Sequence, residues 1–433
     1  MVKTRYLSGD NRRFLFLQGP HGPFFSRLGK MLRGAGAQVW RVGFNAGDRA
    51  FWLHKDSYIS FEQPQEHWPD AFDNIIAEKQ ITDLVLYGDT RFIHAVAIKR
   101  AKAAGITVHV FEEGYLRPYW VTYERDGTNG HSRLMQMNVP QMRKILADTE
   151  IVNPEAPSHW GDMRQHVFYG ALYHWFVMFR NGAYRNFKAH RELGVVAEFK
   201  LYLRRLLLMP AHWASRAIAT MRIKRGGYPY HLVLLQLEHD SSFQAHSPFA
   251  KMSEFLDLVI EGFAKGASTH HHLVFKAHPL ETGRAGLRKL TREIAREYGV
   301  ENRVHYVRGG KLAQLLDHTR SAVTVNSTAA QQVLRRGIPL KVFGDAVFAK
   351  PEFVSTLPLS EFFSQPSRPD MRAYKEYRQY LLETSQIAGG FYSARGRDQL
   401  MRLVVDMVLA PQDPYEALET GNAAPRQQLR VVN

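Results

Sequence analysis

The chain has 433 residues, 45% hydrophobic and 23% charged, so it can bury large cores over two or three domains and lacks the composition of a disordered chain. It has no cysteine, which excludes disulfides and thiolate metal or redox sites and fits a reducing compartment. Its formal net charge of +16 asks for a polyanionic neighbour, whether nucleic acid, acidic lipid or acidic substrate.

Arg13–Leu17 reads as a short strand running into Gln18-Gly19-Pro20-His21-Gly22-Pro23, followed by a helix from Phe24 to about Arg33 that Gly34 and Gly36 stop. The apolar run Phe14–Leu17 is too short for a signal-peptide core. No stretch approaches the roughly 20 apolar residues of a spanning helix, so the expected location is the cytoplasm. Gln38–Phe44 is the next strand. Asp83–Tyr87 precedes Gly88-Asp89 and a helix over Phe92–Ala104, and Thr107–Phe111 ends in Glu112-Glu113-Gly114. Strands alternating with helices at this spacing indicate βαβ units and a parallel sheet.

From about Asp162 to Arg225 the pattern changes. Phe168, Tyr169, Tyr173, Trp175, Phe176, Phe179, Tyr184 and Phe187 are interleaved with Arg180, Arg185, Lys188, Arg191, Arg204, Arg205, Arg216, Arg222, Lys224 and Arg225, with few acids. Such a segment suits a helical insert that rests on an anionic bilayer. The plainer alternative is a helical subdomain with a basic solvated face. Beyond Gly226-Gly227-Tyr228-Pro229, the runs His231–Leu237, His272–Lys276, Val304–Val307, Ala322–Val325 and Leu340–Phe343 repeat the strand–helix alternation. The expected fold class is α/β: two Rossmann-like, doubly wound domains facing a cleft, with a basic helical insert. The expected divisions are 1–160, 161–227 and 228–385, with a C-terminal helix and polar tail over 386–433.

The candidate chemistry lies at the ends of the predicted strands. Glu112 and Glu113 follow a strand, where one carboxylate can take an acceptor proton or protonate a leaving oxygen; two acids in a solvated loop are the plainer reading. His278-Pro279, with Lys276 before it, can donate to a phosphate oxygen, or His278 merely caps a turn. Asn326-Ser327-Thr328 precede a helix expected near Ala329, either as an anion site or as an ordinary cap. Gln236 and Asp240 close the first strand of the second domain, where Asp240 can face an anomeric carbon or cap a helix. Gly19 and His21 sit in a rigid loop that lets a ligand approach, but the dinucleotide fingerprint is incomplete. No P-loop, nucleophile elbow, zinc motif, Asp-x-Asp metal motif or nucleic-acid module is recognisable, so no cofactor, metal or nucleic-acid partner is expected.

Taken together, Phe14 to Phe25, Asn45-Ala46-Gly47-Asp48, Phe111 to Pro118, Gln236 to Ser247, His278-Pro279 and Asn326-Ser327-Thr328 resemble the capsule polysaccharide synthesis and export proteins of Gram-negative bacteria. The resemblance runs over roughly residues 12–345. It implies a GT-B fold and a β-Kdo transferase that uses CMP-activated Kdo to build a linker on a phosphatidylglycerol-type lipid. Such an enzyme would work at the inner face of the cytoplasmic membrane beside other capsule assembly and export proteins. The Glu-Glu-Gly, His-Pro and Ser-Thr elements are also similar to those of bacterial sialyltransferases. By this resemblance Glu113, more than Glu112, handles the acceptor proton, and His278, Ser327 and Thr328 hold the CMP phosphate. Asp240 matches the nucleophile of a retaining reaction, and Arg117 or Lys276 orients the sugar carboxylate. The alternatives are a CMP-sugar transferase acting on another glycan and a non-catalytic export or polyanion-binding protein.

Overall fold

The structure is a computed structural model that describes residues 7–147, 163–186, 209–278, 281, 283, 285–308 and 311–422. It divides into two compact units. The first comprises Met1–Arg133, Ile145–Glu198 and Gln379–Asn433, and the second Leu134–Lys144 and Phe199–Arg378. In chain order the strands are β1 Arg13–Phe16, β2 Gln38–Gly43, β3 Tyr58–Ser60, β4 Asp83–Tyr87, β5 Thr107–Glu113 and β6 Trp120–Arg125. They continue with β7 Tyr230–Leu234, β8 His272–Lys276, β9 Val304–Val307, β10 Thr319–Thr324, β11 Leu340–Val342 and β12 Gln386–Ala388.

The first unit holds a seven-stranded sheet in the order β12-β6-β5-β4-β1-β2-β3. Strands β1 to β5 pair in parallel, whereas β6 and β12 add antiparallel edges. Phe14, Leu15, Phe16 and Leu17 are all fully buried, as expected of a strand covered on both faces. On one face Phe14 and Phe16 pack with Phe24, Phe25 and Leu28 of the helix Phe24–Gly34 and with Leu400 and Val404 of the helix Ala394–Leu409. Leu15 and Leu17 face Trp68, Phe72 and Ile98 on the other. The segment 386–433, set apart by the sequence, thus returns to the first sheet through β12 and its following helix. The polar end after residue 422 lies outside the described residues.

The second unit is a five-stranded, wholly parallel sheet in the order β11-β10-β7-β8-β9. Its core joins Val233, Leu273, Phe275 and Val323 of the sheet to Phe255, Ile260 and Phe263 of the helix Met252–Gly266 and Ile294 of the helix Leu287–Glu297. Each sheet runs outward from its first strand and then returns to that strand's other side. Each therefore has a topological switch point, between β1 and β4 in the first and between β7 and β10 in the second. Open α/β sheets bind ligands just beyond the carboxyl ends of the strands at such points. The fold class is α/β, with two Rossmann-like units.

Candidate functional site

In the first unit, β4 and β5 deliver their last residues beside the switch point. Glu112 and Glu113 are not in a loop after Phe111: both belong to β5 and face Thr122 and Val121 of the antiparallel β6. Polar residues at a strand end read as loop in sequence, but the hairpin with β6 supplies their backbone partners. Gly114 makes the reversal, since a Cβ there would meet the Trp120 carbonyl oxygen at 2.3 Å. Glu112 Oε1 accepts the Glu113 backbone N–H at 2.9 Å. Burial drives its carboxyl up to about 7, aided by the charges of Glu113 and Asp89 and opposed by that N–H and by Arg117.

Tyr87 closes β4 and donates to Glu113 Oε1 at 3.5 Å. Tyr392, whose ring stacks on His166 at 3.8 Å, is held un-ionised by burial and by the Glu113 charge. Asp89 accepts from the Thr128 N–H at 2.8 Å and from His131 Nδ1 at 3.1 Å. Arg117 reaches back to the Gly114 carbonyl at 3.3 Å. A carboxyl near neutrality can both take and return a proton, which is the requirement for general acid–base catalysis.

The loop after β1 takes part in internal packing. A Cβ on Gly19 would strike the Phe25 ring at 2.4 Å, so that glycine serves internal packing. His21 stacks on Tyr173 at 4.2 Å, and the backbone at Gly22 and Gly47 is closely approached by the rings of Tyr169 and Tyr173. Those rings lie on one face of the helix Met163–Phe179, one turn apart. Beneath them Asp48 accepts from Gln18 Nε2 at 2.9 Å, the Phe44 N–H at 3.1 Å, Arg41 Nη2 at 3.2 Å and the Tyr173 hydroxyl at 3.3 Å. Asn45 donates to Tyr173 at 2.7 Å and caps Asp48 N–H at 3.0 Å. The Asn45-Ala46-Gly47-Asp48 motif therefore docks the helix. Sequence reasoning missed this buried cluster, although an aspartate and an arginine seven residues apart around a strand end were its available signal. The helix turns Val167, Phe168, Trp175 and Phe179 outward, the last 65% exposed.

In the second unit the switch point is bridged by amides. Gln236 Nε2 donates to Asn326 Oδ1 at 2.7 Å, and the Asn326 N–H donates to Gln236 Oε1 at 3.0 Å. Asn326 Nδ2 donates to the carbonyls of Ser242 and His246 at 2.9 and 3.2 Å. These two residues shape the crevice floor rather than presenting open hydrogen-bonding groups. Asp240 is the N-cap of the helix Ser241–His246 and accepts the Ser242 N–H at 3.4 Å. Ser327 and Thr328 form a turn one residue before the cap: Ala329 is the N-cap of the short helix Ala330–Leu334, and Ser327 Oγ accepts its N–H at 3.3 Å. The helix thus starts where expected but without a hydroxyl cap. Lys276 ends β8 opposite Leu234 of β7 and is buried. His278 follows it and accepts the Glu281 N–H on its carbonyl at 3.0 Å. Pro279 lies outside the described residues, as do Phe187, Lys188, Arg191, Arg204 and Arg205 of the basic insert. The structure brings Gln236 and Asn326 into contact at one strand-end crevice, with Asp240 and Ser327 close in sequence. Glu112, Glu113 and Arg117 belong to the other unit.

With this geometry established, comparison with known proteins places the chain. The capsule polysaccharide biosynthesis protein family matches residues 82–392, and the chain belongs to that family. The capsule polysaccharide export protein KpsS of Escherichia coli is 30% identical over 401 residues, covering 90% of this chain and 98% of KpsS. The capsule polysaccharide modification protein LipB of Neisseria meningitidis serogroup A is 32% identical over 386 residues, covering 88% and 91%. Among solved structures, the β-Kdo 2,7-transferase KpsC of Thermosulfurimonas dismutans aligns over 91% of this chain and 99% of its own, with 12% identity and a TM-score of 0.43. Among the described residues no helix is long and apolar enough to cross a membrane.

Proposed function

We propose that the chain is a glycosyltransferase of capsule polysaccharide synthesis that moves Kdo from CMP-β-Kdo to a phosphatidylglycerol-type lipid at the inner face of the cytoplasmic membrane. The observation that carries the reading is the Glu112 carboxyl, held near neutrality at the carboxyl end of β5. Glu112, rather than Glu113, takes the proton of the acceptor hydroxyl, because burial has matched its proton affinity to that task. In the second unit Lys276, His278, Ser327 and Thr328 hold the departing CMP phosphate, while Gln236 and Asn326 keep the crevice in shape. Asp240 attacks the anomeric carbon, so that two displacements retain configuration. Arg117 orients the sugar carboxylate. No metal or cofactor is assigned a part. Membership of the capsule biosynthesis family supports the polysaccharide class of the substrate.

The outward aromatic face of the helix Met163–Phe179, flanked by the exposed Arg180 and Arg185, rests on the anionic bilayer that contains the acceptor. The test is incubation with lyso-phosphatidylglycerol and either CMP-Kdo or CMP-sialic acid, followed by mass spectrometry of the lipid. A Kdo increment on the lipid is expected. An increment from CMP-sialic acid alone, or none from either donor, would reject the proposal.

A further inference from the structure

The second unit carries a cavity that the transfer reaction leaves unused. It has a volume of about 480 Å³, within the usual range of small-molecule sites, and lies at the carboxyl end of the outer strand β9. The switch point between β7 and β10 is elsewhere on the sheet, because β8 separates β9 from β7. Arg288, Lys289, Arg292 and Arg308 line the cavity, against Glu281 as the one acidic wall residue among the described residues.

The helix Leu287–Glu297 sets Arg288 and Arg292 one turn apart on the same side, and like charges at that spacing repel. Arg308 reaches across from the end of β9. Its Nη2 lies so close over Gly283 that a Cβ there would meet it at 2.9 Å. Lys289 has a partner in Glu293 at 3.3 Å, whereas Arg288, Arg292 and Arg308 enter no salt bridge among the described residues. Glu281 directs Oε1 to the Gly283 N–H at 2.7 Å, so part of its acceptor capacity serves the backbone. Tyr306 stands among Glu281, Arg288 and Arg308, and all three charges act on its hydroxyl. Three guanidinium groups that line one cavity, against a single carboxylate, offer donors suited to phosphate or carboxylate oxygens. The volume exceeds what a lone inorganic ion would fill.

We propose that this cavity is an anion-binding site, separate from the switch point, for a phosphate or carboxylate group carried on a sugar body. The assignment does not depend on the glycosyl-transfer reading.

Calorimetric titration of the full chain with pyrophosphate, digalacturonate, neutral maltose and CMP tests it. At least one of the two anions is expected to bind, more weakly as salt rises, and maltose is not. Binding of pyrophosphate alone identifies a phosphate site, and binding of digalacturonate alone a sugar-acid site. In the variant R288Q/R292Q/R308Q the anion affinity falls at least about tenfold with CMP affinity unchanged. Glu281→Gln removes the acidic wall residue, and the same anion should bind more tightly. Anion affinity unchanged in the triple variant, no binding of either anion to the unmodified chain, tight binding of maltose, or CMP affinity lost in step with the anion would each overturn the proposal.

Discussion

The carboxyl ends of the two sheets are furnished differently. The first sheet presents carboxylates and phenols: Glu112 is raised to about 7, and Tyr87 and Tyr392 are kept protonated by burial and by the nearby acids. The second sheet presents the neutral Gln236–Asn326 pair at its switch point, with cationic Lys276 one strand away. Proton transfer suits the first arrangement, and holding an anion suits the second. The amino ends of both sheets supply a control. In the first, burial pushes the Asp83 carboxyl up, but hydrogen bonds from Arg12 at 2.7 Å and His109 at 2.9 Å hold it well below the carboxylate range. In the second, His231 and His305 are pushed down to about 3 and 4. These groups are as strongly perturbed as Glu112, yet they lie at the strand ends where open α/β sheets do not bind ligands. A perturbed group marks function here only in combination with its place in the topology.

The division of labour is tested most severely at Asp240, the one carboxylate that the proposal places in chemistry on the second unit. Asparagine caps a helix as well as aspartate does, so Asp240→Asn keeps the bond to Ser242 N–H and removes only the nucleophile. Turnover is expected to fall on the order of 10⁴-fold or more, as for loss of other covalent nucleophiles, while thermal stability stays within about 0.5 kcal/mol. Asp240→Ala should lose the cap as well, costing about 1 kcal/mol. Initial rates and melting curves of the two variants separate the roles. Near-normal turnover in Asp240→Asn would leave the residue as a cap and the second unit as a binding half alone.

Glu112→Gln probes the other side of the comparison. The folded-state pKa of about 7 lies above the ordinary value of 4.5, so the native state holds the extra proton between those values. The associated stability is fully present below about 4.5 and is lost as pH rises through 7, about 3 kcal/mol by pH 8. Glutamine stays neutral, so the variant should melt higher than the parent at pH 8 while turnover drops 10²- to 10⁴-fold. A pH–rate profile should lose its inflection near 7. If Glu112→Gln turns over normally and Glu113→Gln does not, the proton passes through Glu113 instead.

Much of this architecture was legible in the sequence because parallel strands buried on both faces announce themselves as continuous apolar runs. Phe14–Leu17 and Leu232–Leu235 are such runs. What was not legible depends on partners far along the chain. Gln386–Ala388 becomes a strand only because Val121 and Thr122 offer an edge, and nothing local in that three-residue segment says so. Glu112 and Glu113 were legible as a pair at a strand end, but their inclusion in β5 required β6. The Gln236–Asn326 pair was legible as two polar residues at two strand ends. Their mutual bonds close over 90 positions, and a sequence without its fold cannot reveal them. Asn45-Ala46-Gly47-Asp48 was visible as a motif whose purpose, docking Tyr173, depends on a helix more than a hundred residues away.

The smallest expected effect concerns the amino end of the second sheet, and it tests whether perturbation there is purely structural. His231 bonds Ser321 Oγ at 2.8 Å and His271 at 3.1 Å, while His272 bonds His305 at 2.8 Å beneath the stacked ring of Tyr228. Burial lowers all four histidines, and Arg303, Arg320 and His270 add cationic pressure on the cluster. The native state keeps these rings neutral, whereas the unfolded chain takes up their protons near 6.5. Stability therefore declines as pH falls from about 6.5 towards 4, by up to about 1.4 kcal/mol per pH unit for each proton taken up. His305→Phe retains the stack but forfeits one hydrogen bond, so its absolute stability should fall by about 1 kcal/mol. Its slope of stability against pH, measured by urea unfolding between pH 7 and 4.5, should be shallower by close to one proton. An unchanged slope would mean that His305 is already charged in the native state. The amino end would then hold a buried cation, and the contrast between the two ends of this sheet would have to be drawn differently.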